Sequence, residues 1–174
     1  MGDRAVTPKD HGRSRPAAED SAAGLDQVDR KLLALVQTEG RITLSELGRR
    51  VRMSPAAVGE RIRRLEQRGV ITGYAATVAP ALLGYAIQAY VRLAPHGGLT
   101  LCHFRTQELI DRPEVLEVHH VVGEDCWLLR IAVRDTGHLE ELLERLSSLG
   151  RTTTSVLLSS PVPGRVLRPA DEID

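Results

Sequence analysis

Two helix-start signals in close succession constrain this chain more than any other feature. Thr43-Leu44-Ser45-Glu46 has the form of a capping box, in which Thr43 caps the Glu46 backbone and the Glu46 side chain reaches back. Ser54-Pro55 is a second start: a cap, then the residue whose missing N–H costs nothing at the first helical position. Between them fits one short helix with Leu44, Leu47 and Val51 as its buried stripe, then a turn at Arg52-Met53. Upstream, Asp26 is a good cap, and Val28, Leu32, Leu35 and Val36 recur at helical spacing until Gly40. The helix opened by Ser54 runs to about Arg68 and stops at Gly69. Three short helices, with a tight turn between the second and third, make a helix-turn-helix arrangement.

Val70 to Val78 reads as a short extended linker, after which the period changes. Ile87, Ala89, Val91 and Leu93 alternate with Gln88, Tyr90 and Arg92, the pattern of a half-buried strand. Leu99 to Ile110 predicts a helix, and Val115 to Val122 and Cys126 to Val133 predict strands joined at Gly123-Glu124-Asp125. Leu139, Leu142, Leu143, Leu146 and Leu149 mark an amphipathic helix, and Thr152 to Ser159 a last strand. The order βαββαβ is that of a ferredoxin-like sandwich, with two helices on one face of a four-stranded sheet. The fold class is therefore α+β: a three-helix, winged-helix-like unit, then a sandwich domain. A partner subunit is the simplest cover for the other face of the sheet. Residues 1–24 form a tail poor in large apolar side chains, 25–73 the helical unit, 74–84 a linker, 85–162 the sandwich and 163–174 a second tail.

The formal net charge is zero, but the average hides a split. Asp26 to Gly73 holds ten Lys/Arg against six Asp/Glu, a net of +4, and Tyr74 to Asp174 holds nine against thirteen, a net of −4. A basic segment beside an acidic one suggests that only the first is built for a polyanion. Aromatic residues make up only 3%, so the core must be mostly aliphatic. No long apolar run resembles a membrane span or a signal peptide, which places the protein in the cytoplasm. Cys102 and Cys126 lack metal or redox-motif spacing and are expected as reduced, partly buried thiols.

On a helical wheel Val58, Ile62 and Leu65 face a core. Ala56, Ala57, Glu60, Arg63 and Arg64 lie opposite, with Arg61 on the flank. Small residues at the capped N-terminus let backbone approach base edges in a major groove, and the arginines follow on the same surface. An arginine there pairs with guanine, and an alanine touches a thymine methyl. Arg41, Arg49, Arg50, Arg52 and Arg68 surround the helix and suit phosphates. Double-stranded DNA is the expected partner, and Ser54, Arg41 and Arg52 join the wheel residues as the expected DNA-binding set. The alternative is an ordinary solvated face with Glu60 and Arg64 as an i,i+4 pair.

Leu25-Asp26-x-x-Asp29-Arg30-x-Leu32-Leu33, Gly40-Arg41-Ile42 and Ser54-Pro55 resemble the Lrp/AsnC family of leucine-responsive and feast/famine regulators. The block Glu60-Arg61-Ile62-Arg63-Arg64-Leu65-Glu66, followed by Gly69-Val70-Ile71-x-Gly73-Tyr74, carries the resemblance furthest. It covers Leu25 to about Val162. The family turn usually has glycine where Arg52 stands; a positive φ there would cost about 1 kcal/mol. The resemblance implies a transcriptional regulator that dimerises through the sandwich sheet and assembles further, for example to an octamer. It also implies small effectors, usually amino acids, bound between subunits. The matching hairpin is Gly123-Glu124-Asp125-Cys126, where Cys126 holds the place of the usual Asp, and the later Thr-x-Thr matches Thr152 and Thr154. Backbone N–H groups at the Gly turn suit a carboxylate, Glu124 or Asp125 an ammonium, and the threonines either. The alternative is a polar hairpin without a ligand.

No catalytic residues, cofactor or metal are expected. His119 and His120 are adjacent on a strand and point to opposite faces, and His103 and His138 have no partner at metal spacing. Cys126-Trp127 suggests a thiol sensor, with a buried small residue as the plainer reading. Siroheme decarboxylases share the two-part architecture and supply an enzymatic alternative, but an enzyme of that kind has no need for the basic helix.

Overall fold

A computed structural model describes residues 24–96 and 111–172. The tail before Gly24, Cys102, His103 and the helix expected at Leu99 to Ile110 lie outside the described residues. The chain divides into two compact units: one ends at Ala76 and takes in the chain again from Gly164, and the other is Thr77–Pro163.

The first unit holds three helices, α1 (Gln27–Thr38), α2 (Leu44–Val51) and α3 (Pro55–Gln67). Leu32, Leu47, Val58, Ile62 and Leu65 are its buried centre, and Val28, Val36, Val51 and Ile71 pack around them. The complete capping box sits on α1, not on α2 where it was expected. Asp26 Oδ1 accepts from the Asp29 N–H at 2.8 Å, and the Asp26 N–H donates to Asp29 Oδ2 at 3.4 Å. On α2 only the forward half forms: Thr43 Oγ1 accepts from the Glu46 N–H at 3.2 Å. The Glu46 carboxylate is taken by Arg49 and Arg50 and does not reach back. Ser54 Oγ caps α3 by accepting from the Ala57 N–H at 3.2 Å. The other end of α3 closes at Gly69 (φ +70°), where the Val70 and Ile71 N–H groups both donate to the Leu65 carbonyl. The start of the expected linker thus belongs to the helical unit.

The turn between α2 and α3 explains why the two helices meet so tightly. Arg52 adopts φ +58°, ψ +45°, the left-handed conformation in which its Cβ is strained. The chain then folds back on α2 so closely that a Cβ on Gly48 would lie 2.5 Å from the Met53 carbonyl oxygen. A glycine inside a helix ordinarily costs up to about 1 kcal/mol relative to alanine. Here it is the residue that lets the turn close.

The second unit opens with a 3-10 turn, Pro80–Leu83, inside the expected linker. It continues as β1 (Ile87–Pro95), β2 (Val115–His120), β3 (Trp127–Val133), α4 (Thr136–Ser147) and β4 (Gly150–Val156). The strands form an antiparallel sheet in the order β2-β3-β1-β4, the arrangement of a ferredoxin-like sandwich. Ala89, Val91, Leu93, Leu129, Ile131 and Val133 are buried with Leu142 and Leu146 of α4, so α4 covers that face. Tyr90, Arg92, Leu128 and Arg130 lie on the opposite face by the alternation of their strands.

Two substitutions in the turn have opposite expected effects on thermal unfolding. Gly48→Ala forces a Cβ against backbone and should destabilise the first unit by about 1–3 kcal/mol. Arg52→Gly relieves the left-handed strain and should stabilise it by up to about 1 kcal/mol. An unchanged melting midpoint for Gly48→Ala would remove the close approach as the closing constraint.

Candidate nucleic-acid interface and effector hairpin

The arginines of the first unit divide into two groups that the sequence does not separate. Arg61 was expected among the DNA-contacting residues, but it turns inward. Its Nη1 donates to Asp26 Oδ2 at 2.6 Å and Asp29 Oδ1 at 2.8 Å, and its side chain is only 26% exposed. One guanidinium therefore ties α3 to both carboxylates of the α1 cap. Arg50 works similarly, bridging Glu46 of its own helix and Glu39 at the end of α1. Arg68 donates to the Gly24 carbonyl at 3.0 Å. These three arginines are used in joining segments of the unit.

The second group faces solvent. Arg64 is exposed, as are Arg41 and Arg52, and among the described residues none forms an ion pair with them. Arg63 is paired with Glu60, both well exposed, in place of the Glu60–Arg64 pair that spacing alone allows. Arg49 is 73% exposed and shares Glu46 with Arg50. Ala56 is exposed and Ala57 half-buried beside the Ser54 cap. The outward side of α3 thus runs from small residues at its N-terminus to Arg63 and Arg64. Arg41 and Arg52 leave from the loops flanking α2.

Two carboxylates of this unit, Glu46 and Asp26, are held in their charged form by hydrogen bonds. Hydrogen bonds from Arg49 and then Arg50 hold the Glu46 carboxyl down to about 2. Asp26 is also held below its usual value, first by the Asp29 backbone N–H and then, against some burial, by Arg61.

In the second unit the expected effector residues lie on the β2–β3 hairpin and on β4. Val121 donates to the Cys126 carbonyl at 2.9 Å to close the hairpin, and Gly123 takes φ +151°. Gly123 and Glu124 are exposed at its tip, while the Asp125 side chain is only 14% exposed. Asp125 sits between two cations, 3.7 Å from Arg92 Nε and 3.8 Å from Arg151 Nη2. Cys126 is buried and disulfide-bonded, which corrects the expectation of a reduced thiol and leaves its sulfur no free role toward a ligand. The spacing of the two cysteines holds no motif that would signal such a bond. Thr152 and Thr154 stand opposite Leu93 and Val91 in the β1–β4 register, so they share the face covered by α4. The residue of that strand opposite Arg92 is Thr153. The arginines flanking Asp125 and the position of Thr153 are visible only through strand register.

Three of the described histidines have local partners. His119 Nε2 lies 3.1 Å from Glu117, and the His120 ring packs on Trp127 with centroids 4.7 Å apart. His138 bonds Glu114 at 2.9 Å.

A capped two-helix reader with an outward basic helix, followed by a ferredoxin-like sandwich, defines a helix-turn-helix transcriptional regulator. Comparison with known proteins makes the class specific. The AsnC-type helix-turn-helix domain model matches residues 25–66, and the Lrp/AsnC ligand binding domain model matches residues 88–167. The HTH-type transcriptional regulator LrpA of Mycobacterium tuberculosis is 34% identical over 145 residues, covering 78% of this chain and 91% of its own length. The leucine-responsive regulatory protein of Serratia marcescens is 33% identical over 152 residues, covering 84% and 90%. Among solved structures, the Neisseria meningitidis regulator NMB0573 in complex with L-Met superposes with a TM-score of 0.79 at 27% identity, covering 86% of this chain and 99% of that one. The chain belongs to the Lrp/AsnC family of transcriptional regulators. No helix among the described residues is long and apolar enough to cross a membrane.

The lowered pKa of Glu46 sets a pH window. A carboxylate held low when folded contributes stability above its ordinary range, and that contribution is lost as pH falls toward about 2. Urea unfolding of the wild type and Glu46→Gln should therefore differ at neutral pH and converge in acid. Parallel curves from neutral to acid pH would show that the Arg49 and Arg50 pairing does not stabilise the unit.

Proposed function

We propose that α3 reads the major groove with Ala56, Ala57, Glu60, Arg63 and Arg64, while Arg41, Arg52 and the Ser54 end of the helix meet phosphates. Arg61 has no direct part in this; it sets the angle of the reading helix. The observation that carries the proposal is the outward strip of α3, small at its capped end and basic beyond. Because the helix is held from behind at Gly48 and Arg61, its backbone has little freedom left to lose on binding. Phosphate contacts supply salt-dependent affinity, and the base-edge contacts supply selectivity.

The reader works as part of an assembly in a cytoplasmic regulator. The sheet face carrying Tyr90, Arg92, Leu128 and Arg130 suits a second copy of this chain, and paired copies would present paired reading helices to DNA. Higher assemblies such as an octamer extend the same principle. A small effector tunes that assembly or its DNA affinity. An α-amino acid fits the charges around the hairpin, with its carboxylate toward Arg92, Arg151 and the Gly123 turn and its ammonium toward Asp125 or Glu124. In support, NMB0573 and the feast or famine regulatory protein of M. tuberculosis have structures with L-methionine. Thr152 and Thr154 would act from the covered face by shaping β4.

Duplexes enriched by the wild-type protein from a random pool provide the test. Arg64→Ala should weaken their binding by about 1–3 kcal/mol without lowering the melting midpoint. Arg61→Ala should lower the midpoint, because it leaves Asp29, nearly buried, without its charged partner. Unchanged DNA affinity in Arg64→Ala would sink the groove assignment, and a flat salt dependence would sink the phosphate contacts.

A further inference from the structure

The C-terminal residues of the chain do not simply trail away. Asp171 meets Arg30 in the first turn of α1 through two prongs, Nη1 to Oδ1 at 2.6 Å and Nη2 to Oδ2 at 2.7 Å. The Arg30 side chain is only 18% exposed. Further along the same helix Gln37 spends both ends of its amide on one residue. Its Nε2 donates to the Leu167 carbonyl at 3.0 Å, and the Leu167 N–H donates to its Oε1 at 2.9 Å. A side chain that reads both backbone groups of one residue imitates the edge of a strand and fixes the register of what it holds. The spacing agrees: Arg30 and Gln37 are about 10 Å apart along a helix, and Leu167 to Asp171 spans that distance in a partly extended chain. The strap runs antiparallel to α1.

What the strap holds is the turn on which the reading helix depends. Arg30 Nε also donates to the Leu25 carbonyl at 3.2 Å, and the carboxylates beside it, Asp26 and Asp29, are those that grip Arg61 of α3. Strap, α1 cap and reading helix therefore meet within one helical turn. The strap is also covalently continuous with the end of the second unit at Pro163. The family model of the ligand-binding domain ends at residue 167, so Asp171 lies beyond it.

We propose that residues 164–172 form a latch on α1: docked, they hold the α1 cap and, through Arg61, the reading helix in its DNA-binding arrangement; released, they lower DNA affinity. Its polar contacts named here lie largely at the surface, with Asp171 59% exposed, so each is weak, and the Arg30–Asp171 pair is screened by salt. A latch near balance is open to control by events that pull on the end of the sandwich domain. The second half of this inference rests on α3 being the DNA reader; the docking half does not.

Amide exchange and DNA titration of the full chain test the two halves. In the wild type the Leu167 amide should exchange at least roughly tenfold more slowly than in an unstructured chain. Gln37→Ala combined with Asp171→Ala should abolish that protection and weaken binding to the enriched duplexes several-fold, with helix content retained. Asp171→Glu, which keeps a carboxylate for Arg30 and leaves its bond to the Leu25 carbonyl in place, should retain both protection and affinity. A wild-type Leu167 amide exchanging at the free-chain rate overturns the docking. Protection lost with DNA affinity unchanged overturns the coupling. Should the wild type enrich no duplex at all, the reading of α3 fails instead, and the exchange result still decides the docking.

Discussion

The reader unit depends on a single close approach, that of the Met53 carbonyl to Gly48. Between the caps at Thr43 and Ser54 the chain must finish α2, reverse and begin α3 with no residue to spare. It does so by placing backbone where any side chain on residue 48 would stand, and by forcing Arg52 into a left-handed conformation. The angle between α2 and α3 follows from that contact. So does the burial of Leu47 against Val58 and Ile62, and so does the direction in which the outer strip of α3 faces.

With the turn closed, charge does the remaining positioning. Arg61 bridges Asp26 and Asp29, and Arg50 bridges Glu39 and Glu46, so α3 and α2 are each tied to an end of α1. These pairs are partly exposed, and individually such pairs contribute little. Their value here is directional, because a guanidinium held by two carboxylates fixes where a helix end lies. The arrangement also occupies those arginines with carboxylates of their own unit. The outward basic residues are then Arg41, Arg49, Arg52, Arg63 and Arg64, around a helix already held in place.

The sandwich domain shows a related division. Alternation along β1 is plain in the sequence, and with it the split between an aliphatic face and a polar one. Cross-strand register is not, because it depends on which strands pair and where the bulge between Val115 and Glu117 falls. Register puts Arg92 and Arg151 beside Asp125, and it puts Thr152 and Thr154 with Val91 and Leu93. Motif spacing groups residues by position along the chain, whereas a ligand meets them by face. For that reason Thr152 and Thr154 lie by alternation on the face covered by α4, whereas Asp125 is held by Arg92 and Arg151.

Read alone, the sequence determined the elements whose causes are local. The caps at Asp26, Thr43 and Ser54, the stop at Gly69, the apolar stripe of each helix and the two-residue period of β1 all act within a few residues. They suffice to identify a helix-turn-helix followed by a ferredoxin-like sandwich, and with them the family. Tertiary structure decided which charged group meets which. It turned Arg61 inward, gave Glu46 to two arginines instead of its own cap, engaged Cys126 in a disulfide and brought Asp171 back to Arg30. Each of these joins residues whose separation in sequence carries no periodic signal or concerns a choice among several partners within reach. An ion pair is long-ranged and tolerant of side-chain identity, so it leaves little trace in a pattern. A cap or an apolar stripe is short-ranged and exacting, and it can be read directly.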